Sequence, residues 1–263
     1  MIIVSKIDYK IYYEKSNLLF IIAIILLILV AIPGIGTVRN GSRSWFGIGS
    51  FGIQPSEAAK LSLIIFTSKY LCNNNKNLKN IKKGVFPILF ITLFVFALIM
   101  LQPDFGTGFI ILVTIIGLLF IGGVNLKFFI YLFLIGLIGI TGLIVVAPYR
   151  LKRILSFLNP WMDPLGSGFQ IIQSLYAIGP GGLFGYGFLN SRQKHFYLPE
   201  PQTDFIFSII IIRGLKIAKN IKEPFVKFLA FGIVFGLSFQ ALLNLMVVTG
   251  LIPVTGVVLR GIL

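Results

Sequence analysis

Long apolar runs separated by short polar segments form the pattern of this 263-residue chain. A helix that crosses a bilayer needs about 20 mostly apolar residues, and most of the runs approach that length when tilt and polar ends are allowed for. The pattern therefore predicts an all-α polytopic membrane protein, a multi-helix transmembrane bundle that forms a single domain over residues 1–263. The predicted helices lie near residues 18–35, 58–71, 85–101, 109–124, 128–147 and 228–248.

The composition supports a membrane protein, and it affects how the high positive charge of the chain is interpreted. Hydrophobic residues make up 57% of the chain and charged residues 12%, whereas soluble domains average about 45–50% apolar and about 25% charged. The 23 basic and 8 acidic residues give a net charge of +15. Because the basic residues lie mostly between the apolar runs, they indicate topology and attraction to anionic lipid, and no nucleic-acid partner is expected.

Two Lys-rich connections set the predicted orientation, NNNKNLKNIKK at residues 73–83 and RGLKIAKNIKEPFVK at residues 213–227. Short loops rich in Lys and Arg tend to stay in the cytoplasm. The connection at residues 37–55 and the large loop at residues 148–204 then emerge on the outer face. Only the short apolar run 205–212 is left to return the chain inside. As a helix it covers about 12 Å of a hydrocarbon core about 30 Å thick, which is too short to cross.

Acidic residues on the predicted outer side lie beside helix ends, where carboxylates at membrane depth are usually paired or functional. Glu57 and Lys60 are three positions apart in PSEAAK and share a helix face, so they form a structural ion pair or part of a site. Asp104, in QPDFGTG, caps the next helix or serves a site. Asp204 ends HFYLPEPQTD directly before FIFSIIII, where desolvation favours a general base; it can equally cap that helix.

Basic residues flank the same outer loop, against the positive-inside tendency. They suggest an anionic ligand, and phosphate is a natural partner of Arg. His195 has no second His or Cys nearby for a zinc site, so a surface or hydrogen-bonding role is expected. The basic residues concerned are Arg150, Lys152, Arg153, Arg192 and Lys194.

Four segments, in order along the chain, carry a family resemblance. They are GSRSWFGIGSFGIQPSEAAKL from Gly41, LQPDFGTG from Leu101, RILSFLNPWMDPLGSGFQIIQSLYAIGPGGLFGYG from Arg153, and SRQKHFYLPEPQTDFIF from Ser191. On these segments the chain resembles the SEDS family, the group that contains FtsW, RodA and SpoVE. The wording NPWMDP, QSLYAIG and SRQKHFYLPEPQTDFIF is closer to the FtsW and SpoVE branch.

The resemblance implies a ten-helix fold and a peptidoglycan glycosyltransferase that polymerises lipid II. The enzyme would be a multi-pass protein of the bacterial cytoplasmic membrane with an extracytoplasmic active face, acting in septal or spore-cortex wall synthesis. The implied partners are lipid II, a class B penicillin-binding transpeptidase, and divisome or sporulation proteins. A divalent cation, Mg²⁺ or Mn²⁺, is implied by the resemblance alone, with its ligands unknown.

The resemblance also assigns roles to residues. The aspartate of the family motif matching PQTDFIF is its proposed catalytic residue and corresponds to Asp204, while the family's PSExxK pair corresponds to Glu57 and Lys60 at a central cavity. Arg43 and Gln173 belong to the first and third matching segments. The complete expected substrate-binding set is Arg43, Glu57, Lys60, Asp104, Arg150, Arg153, Gln173 and Lys194.

The chain departs from the family in three places. The family's first helix and most of its second are absent before Met1, the usual GEELG segment and the rest of that helix are missing after Ile210, and PVTGVVLRGIL replaces the usual last loop and helix. The second departure coincides with the short run 205–212. We therefore expect a chain truncated at both ends, with an internal deletion and little or no activity.

Two other functions fit the same residues. The chain could act as a transporter that flips lipid II, with Glu57, Lys60 and Asp104 along the route, or it could be a non-catalytic fragment. Polar residues are concentrated on the outer side instead of being spread across the membrane, and this one-sidedness favours surface chemistry.

Overall fold

The computed structural model describes residues 8–39, 42–47, 52–78, 80–146, 155–162, 164, 169–178 and 213–252. These residues are mostly helical. They fall into two compact units: those of the first lie within Met1–Phe128 and Ile210–Phe239, and those of the second lie within Phe129–Ile209 and Gln240–Arg260. The single domain expected from the sequence stays a prediction.

Eight helices and one β-hairpin carry the labels used below. The helices are α1 (Tyr9–Glu14), α2 (Ser16–Ala31), α3 (Pro55–Asn73), α4 (Phe86–Met100), α5 (Phe105–Ile121), α6 (Leu126–Val146), α7 (Phe169–Ile178) and α8 (Pro224–Val248). The strands are β1 (Thr37–Arg39) and β2 (Ser42–Trp45). Shorter helical pieces are the 3-10 turns Asn75–Asn77 and Pro160–Met162, the π-helix Ile81–Val85, and residues 155–158 and 213–220.

The predicted helices each overlap an observed one, with shifted ends. α3 begins at Pro55, a residue favoured in the first turn because it has no N–H to satisfy. α2 ends at Ala31, well before the predicted residue 35, because Ile32 is extended, as expected for a residue that precedes proline. Within the predicted outer loop 148–204, α7 and a 3-10 turn are helical. The observed helices therefore include polar ends that hydropathy alone excludes.

The connection between α2 and α3 contains an antiparallel hairpin of β1 and β2. Val38 pairs with Arg43 and Arg39 pairs with Ser42, with an irregularity at the β1 start. A further bridge joins Phe46 to Ile53. The described residues between α2 and α3 are thus held by hydrogen bonds of the hairpin and of this bridge.

The outward surface of α2 is apolar. Leu18, Ile21, Ile25 and Ile28 are each about half exposed and recur every three or four residues, so they form one face of the helix. Soluble monomers rarely expose a continuous apolar face of this kind. The face is suited to contact with lipid.

Two described helices are long and apolar enough to cross a membrane. They are Ile81–Met100, with 20 residues, and Pro224–Val247, with 24 residues. Three further apolar helices are shorter: Ser16–Ala31, Phe105–Ile121 and Leu126–Gly139. By length, the described helices therefore support a membrane protein with at least two spans.

Glycine permits close packing between helices of the first unit. A Cβ built on Gly117 of α5 would lie 2.6 Å from the Phe235 ring of α8, and one on Gly232 of α8 would lie 2.7 Å from Ile64 Cγ2 of α3. Small residues at such contacts let helix backbones approach when lipid supplies no hydrophobic driving force. α8 therefore packs against both α3 and α5 through positions that have no room for a side chain.

Substitution of Gly232 by alanine tests this packing. We expect Gly232→Ala to lower the free energy of unfolding by about 1–3 kcal/mol, because the new methyl group overpacks the contact with Ile64. The matched control is Gly136→Ala on α6, where a Cβ meets nothing within 4 Å. That change should be neutral or stabilising by up to about 1 kcal/mol, since alanine favours helix. Thermal unfolding in detergent measures both, and equal effects would refute the packing argument.

Candidate functional site

A buried ion pair lies on the first turns of α3. The Lys60 ammonium is 2.7 Å from the Glu57 carboxylate, at the spacing of three residues that places both on one helix face. Lys60 is only 5% exposed, whereas the Glu57 side chain is 36% exposed. The pair therefore places a compensated positive charge among packed helices and its carboxylate at their edge.

Asp104 joins the starts of two helices. It is the N-cap of α5, and its Oδ1 accepts a hydrogen bond from the Thr107 backbone N–H at 3.3 Å. Its Oδ2 accepts a hydrogen bond from the Gln54 side-chain amide at 2.9 Å. Because Gln54 is the N-cap of α3, this second bond ties the start of α3 to the start of α5. The capping role foreseen for Asp104 is present, together with a link to another helix.

Burial raises the pKa of the Asp104 carboxyl above its usual range, because desolvation penalises the charged form. Hydrogen bonds from Thr107 oppose the shift, the negative charge of Glu57 adds to it, and the hydrogen bond from Gln54 opposes it. The carboxyl therefore keeps its proton to a higher pH than an exposed aspartate. A perturbed carboxyl beside an ion pair is a candidate for contact with substrate.

Gln102 fastens the turn before Asp104 to two other segments. Its side-chain amide donates to the Leu27 carbonyl of α2 at 3.0 Å, and its backbone carbonyl accepts a hydrogen bond from the Ser42 hydroxyl on β2. Gln102 is fully buried, and its Oε1 has no hydrogen-bond partner among the described residues; the buried Ser56 hydroxyl at the start of α3 has none there either.

We call Gln54, Glu57, Lys60, Gln102 and Asp104 the polar cluster. The cluster is assembled by the end of α2, the hairpin, and the starts of α3 and α5. Each of these elements contributes a backbone or side-chain group that forms a hydrogen bond with another of them. The cluster is therefore a fixed arrangement of two carboxyls, one ammonium and two amides at one end of apolar helices.

The other predicted site residues have different placements. Arg43 lies on β2, where its aliphatic chain packs by Gly36, next to the Ser42 that bonds the Gln102 carbonyl. Gln173 is partly buried on α7, within the second unit. The remaining predictions lie outside the described residues: Asp204, Arg150, Arg153, Lys194 and His195.

The described residues do not fit the divalent cation that the family resemblance implies. In this part of the chain, no three His, Cys, Asp or Glu side chains converge as metal ligands. Glu57 faces the Lys60 ammonium, and both Asp104 oxygens already accept hydrogen bonds. The divalent cation therefore stays a prediction.

Gln54 and Gln102 are the site residues that sequence reasoning missed. Each stands directly before a proline, in IQPSE and LQPDF, at the start of a helix that carries a predicted acid. A polar amide next to a proline-started helix lies near the helix end, where it can reach a neighbouring cap. This repeated pattern was the available signal.

The fold and the polar cluster define a class of protein: a mostly helical chain with helices of bilayer length and an ordered polar site at one end of them. The chain belongs to the FtsW, RodA and SpoVE family of cell cycle proteins, whose family model matches residues 1–211 and 207–261. The matches cover the polar cluster and the segment that contains Asp204.

Two curated relatives show the extent of the similarity. Stage V sporulation protein E of Bacillus subtilis (strain 168) is 50% identical over 278 aligned residues, which cover 98% of this chain and 76% of the relative. A probable peptidoglycan glycosyltransferase FtsW of Geobacter sp. (strain M18) is 36% identical over 276 residues, covering 98% and 75%. The similarity thus extends over nearly the whole chain.

One solved structure gives the same result for the fold. It is a chain in a peptidoglycan synthase complex that coordinates polymerization and crosslinking, and it superposes with a TM-score of 0.77. Its sequence is 27% identical, and the match covers 98% of this chain and 77% of the other. The helical architecture of this chain is therefore similar to that of a known synthase subunit.

The internal gap expected after Ile210 stays a prediction, and two findings agree with it. The alignment with the Bacillus protein has 278 positions against 263 residues here, so at least 15 positions have no counterpart in this chain. The family model matches in two parts, which overlap at residues 207–211. A gap directly after the segment containing Asp204 would account for both findings.

A double-mutant cycle on Glu57 and Lys60 tests the ion pair. We expect Glu57→Gln to lower the free energy of unfolding by about 1–3 kcal/mol, less than for a fully buried pair because Glu57 is partly exposed. The variant Glu57→Gln with Lys60→Met should be more stable than Glu57→Gln alone, since no buried ammonium remains without that carboxylate. Chemical or thermal unfolding in detergent gives the coupling.

The control for charge removal is Glu223→Gln, an exposed carboxylate with no ion pair among the described residues. Its effect should stay within about 0.5 kcal/mol. Additive effects of the Glu57 and Lys60 substitutions would contradict an energetically coupled pair.

Proposed function

We propose that this chain is a peptidoglycan glycosyltransferase that polymerises lipid II at the outer face of the bacterial cytoplasmic membrane. The name of the Geobacter relative and the synthase complex of the structural neighbour support this reaction class. The chain belongs to the same family, and its Asp204 stands in the segment that matches the proposed catalytic motif of the family. We therefore assign the same activity to this chain.

The observation that carries the proposal is the polar cluster. In a unit whose α2 surface is apolar, a buried ammonium and two carboxyls are fixed at one end, beside two buried oxygens that have no hydrogen-bond partner among the described residues. Such an arrangement suits a substrate that combines sugar hydroxyls with a charged phosphate group. We assign Glu57, Lys60 and Asp104 to substrate binding.

In the proposed reaction, Asp204 acts as general base on the acceptor sugar hydroxyl. The hydroxyl oxygen forms a bond to the anomeric carbon of the lipid-linked donor strand, while the bond from that carbon to the pyrophosphate oxygen breaks. The proton goes to Asp204, and undecaprenyl pyrophosphate leaves with the electron pair. Arg150, Arg153 and Lys194 would stabilise the charge of the departing pyrophosphate.

We further propose the membrane arrangement of the family. The polar cluster would face the outside, with the Lys-rich segments at residues 73–83 and 213–227 in the cytoplasm. Arg43 and Gln173 would complete the binding surface on the outer side. A class B penicillin-binding transpeptidase, with divisome or sporulation proteins, would be the protein partner in septal or spore-cortex synthesis.

Loss of the carboxylate at Asp204 is the direct test of the reaction. We expect Asp204→Ala to reduce polymerisation by at least about 100-fold, since a general base commonly contributes 10²–10⁴-fold. The assay is gel analysis of glycan strands made from labelled lipid II by the purified chain with its transpeptidase partner, in a version with the corresponding Bacillus residues inserted after Ile210. The control is Glu223→Gln, in the segment 213–227 that is predicted to lie in the cytoplasm. This substitution should leave the polymerisation rate unchanged.

The same preparation separates polymerisation from transport. In reconstituted vesicles with fluorescent lipid II, a glycosyltransferase makes polymer and a flippase makes translocated monomer. Translocation without polymer would replace the proposed function by transport. Polymer formation retained in Asp204→Ala would overturn the role of that residue.

The internal gap gives a second prediction, namely that this chain polymerises lipid II far more slowly than an uninterrupted relative. The segment after Asp204 should hold the carboxylate at a fixed depth, and displacement of a catalytic group by about 1 Å can cost 100-fold in rate. Insertion of the corresponding Bacillus residues after Ile210 should restore at least about that factor.

Cysteine accessibility reports where the shortened segment lies. Lys216→Cys and Lys219→Cys, both exposed positions and each in a Cys72→Ser background, are labelled from either side of sealed vesicles. A displaced segment should give altered or two-sided labelling. Labelling of both sites from the cytoplasm alone, with a polymerisation rate equal to that of the restored chain, would contradict the prediction.

A further inference from the structure

The described residues of the connection between α3 and α4 form a hydrogen-bonded structure rich in Lys. We define the Lys-rich connector as residues 74–78 and 80–83, which contain Lys76, Lys82 and Lys83. The Asn77 N–H donates to the Asn74 carbonyl and the Asn80 N–H donates to the Asn77 carbonyl, each at 2.9 Å. A 3-10 turn is thereby linked to the π-helix that opens the next span.

Further bonds fix the π-helix. The Asn80 side chain accepts a hydrogen bond from the Lys82 N–H at 3.1 Å, and the Tyr70 hydroxyl of α3 donates to the Lys83 carbonyl at 3.2 Å. A Cβ on Gly84 would collide with the backbone carbonyl of Asn77. Only glycine therefore lets the π-helix lie against the 3-10 turn, and π-helical turns are frequent at functional sites.

Beside this packing lies a shallow surface cavity of about 500 Å³, wide open to solvent and lined by Lys76, Asn77, Asn80, Ile81 and Lys82. Both lysines are exposed, and neither forms an ion pair with a described residue. Lysine ammonium and asparagine amide groups are donors for anionic oxygen. The lining thus has the chemistry of a site for a phosphate group.

Apolar side chains continue the site into the start of the membrane span. Ile81 and Phe86 are 43% and 60% exposed, and Ile81 begins the helix Ile81–Met100, which is of bilayer length. Positive charge above exposed apolar side chains at a helix end matches an interface in which phosphates lie above acyl chains. A free anion would use only the polar half of this surface.

We propose that the Lys-rich connector binds the headgroup of an anionic phospholipid of the cytoplasmic leaflet. Lys76 and Lys82 contact the phosphate oxygens, the Asn77 and Asn80 amides donate to the headgroup, and Ile81 lies against the acyl chains. This inference depends on the membrane placement of Ile81–Met100 and not on the glycosyltransferase reaction. Its failure would therefore leave the proposed function untouched.

The test compares two variants with equal loss of charge. The site variant is Lys76→Gln with Lys82→Gln, and the control is Lys127→Gln with Lys219→Gln, exposed lysines predicted on the same membrane side. Binding of fluorescent phosphatidylglycerol to the full chain in neutral detergent is measured by titration. We expect the site variant to bind about 30-fold more weakly, because each lysine near an anionic surface contributes about fivefold.

The control variant should lose less than about threefold, since its lysines lie outside the cavity. Gly84→Ala keeps every charge and should also weaken binding, because it disturbs the packing that forms the cavity. Equal losses in the site and control variants, or unchanged binding by Gly84→Ala, would overturn a built site. Equal binding of phosphatidylcholine, or displacement of phosphatidylglycerol by millimolar inorganic phosphate, would overturn recognition of an anionic lipid.

Discussion

The arrangement of the helices in the first unit depends on the free-energy cost of removing the Lys60 ammonium from water. An uncompensated buried charge costs several kcal/mol, and the contact with Glu57 offsets that cost within a single turn of helix. Because Glu57 is partly exposed, the start of α3 must lie where its carboxylate reaches the edge of the apolar helices. The Gln54 to Asp104 hydrogen bond holds it there, and the start of α5 is fixed by the same contact. One charge therefore determines where two helices begin relative to each other.

Polar groups midway along the helices follow a different rule. The hydroxyls of Ser68, Thr92 and Thr114 each donate to the carbonyl four residues earlier in the same helix, while the buried Thr67 hydroxyl has no partner. Hydroxyls that bond within their own helix leave the packing of neighbouring helices to close contacts such as that of Gly232. Side-chain hydrogen bonds between segments are formed near helix ends instead, at the polar cluster and between Tyr70 and Lys83. This division places specific polar recognition at a helix end, as surface chemistry on a membrane-anchored substrate requires.

Local rules in the sequence were sufficient for part of this site. The spacing of Glu57 and Lys60 predicts their contact, and the position of Asp104 after a proline predicts its capping bond, because both depend on a single helix. The links from Gln54 to Asp104 and from Gln102 to Leu27 join residues 50 and 75 positions apart, so they follow from helix packing that periodicity does not describe. Hydropathy likewise located the apolar helices but not the hairpin or the π-helix, whose backbone geometry depends on neighbours such as the Asn77 carbonyl beside Gly84. The role expected for Arg43 rests on a shared motif alone and stays a prediction.

The internal gap bears on this arrangement through length alone. Gly214 lies against Val234 of α8, and α8 packs on α3 at Gly232, so the chain after the gap is fixed to the first unit. Nine residue steps remain between Asp204 and Arg213, and fully extended they reach about 30 Å, the thickness of the hydrocarbon core. An extended chain in lipid would leave its backbone N–H and C=O groups without partners, each at a cost of several kcal/mol. In the proposed topology, drawing one end of this segment into the membrane is therefore favoured, and this would displace the Asp204 carboxylate or its anchor. The polar cluster is built from residues before the gap, so binding of substrate can survive while the geometry for proton transfer is lost.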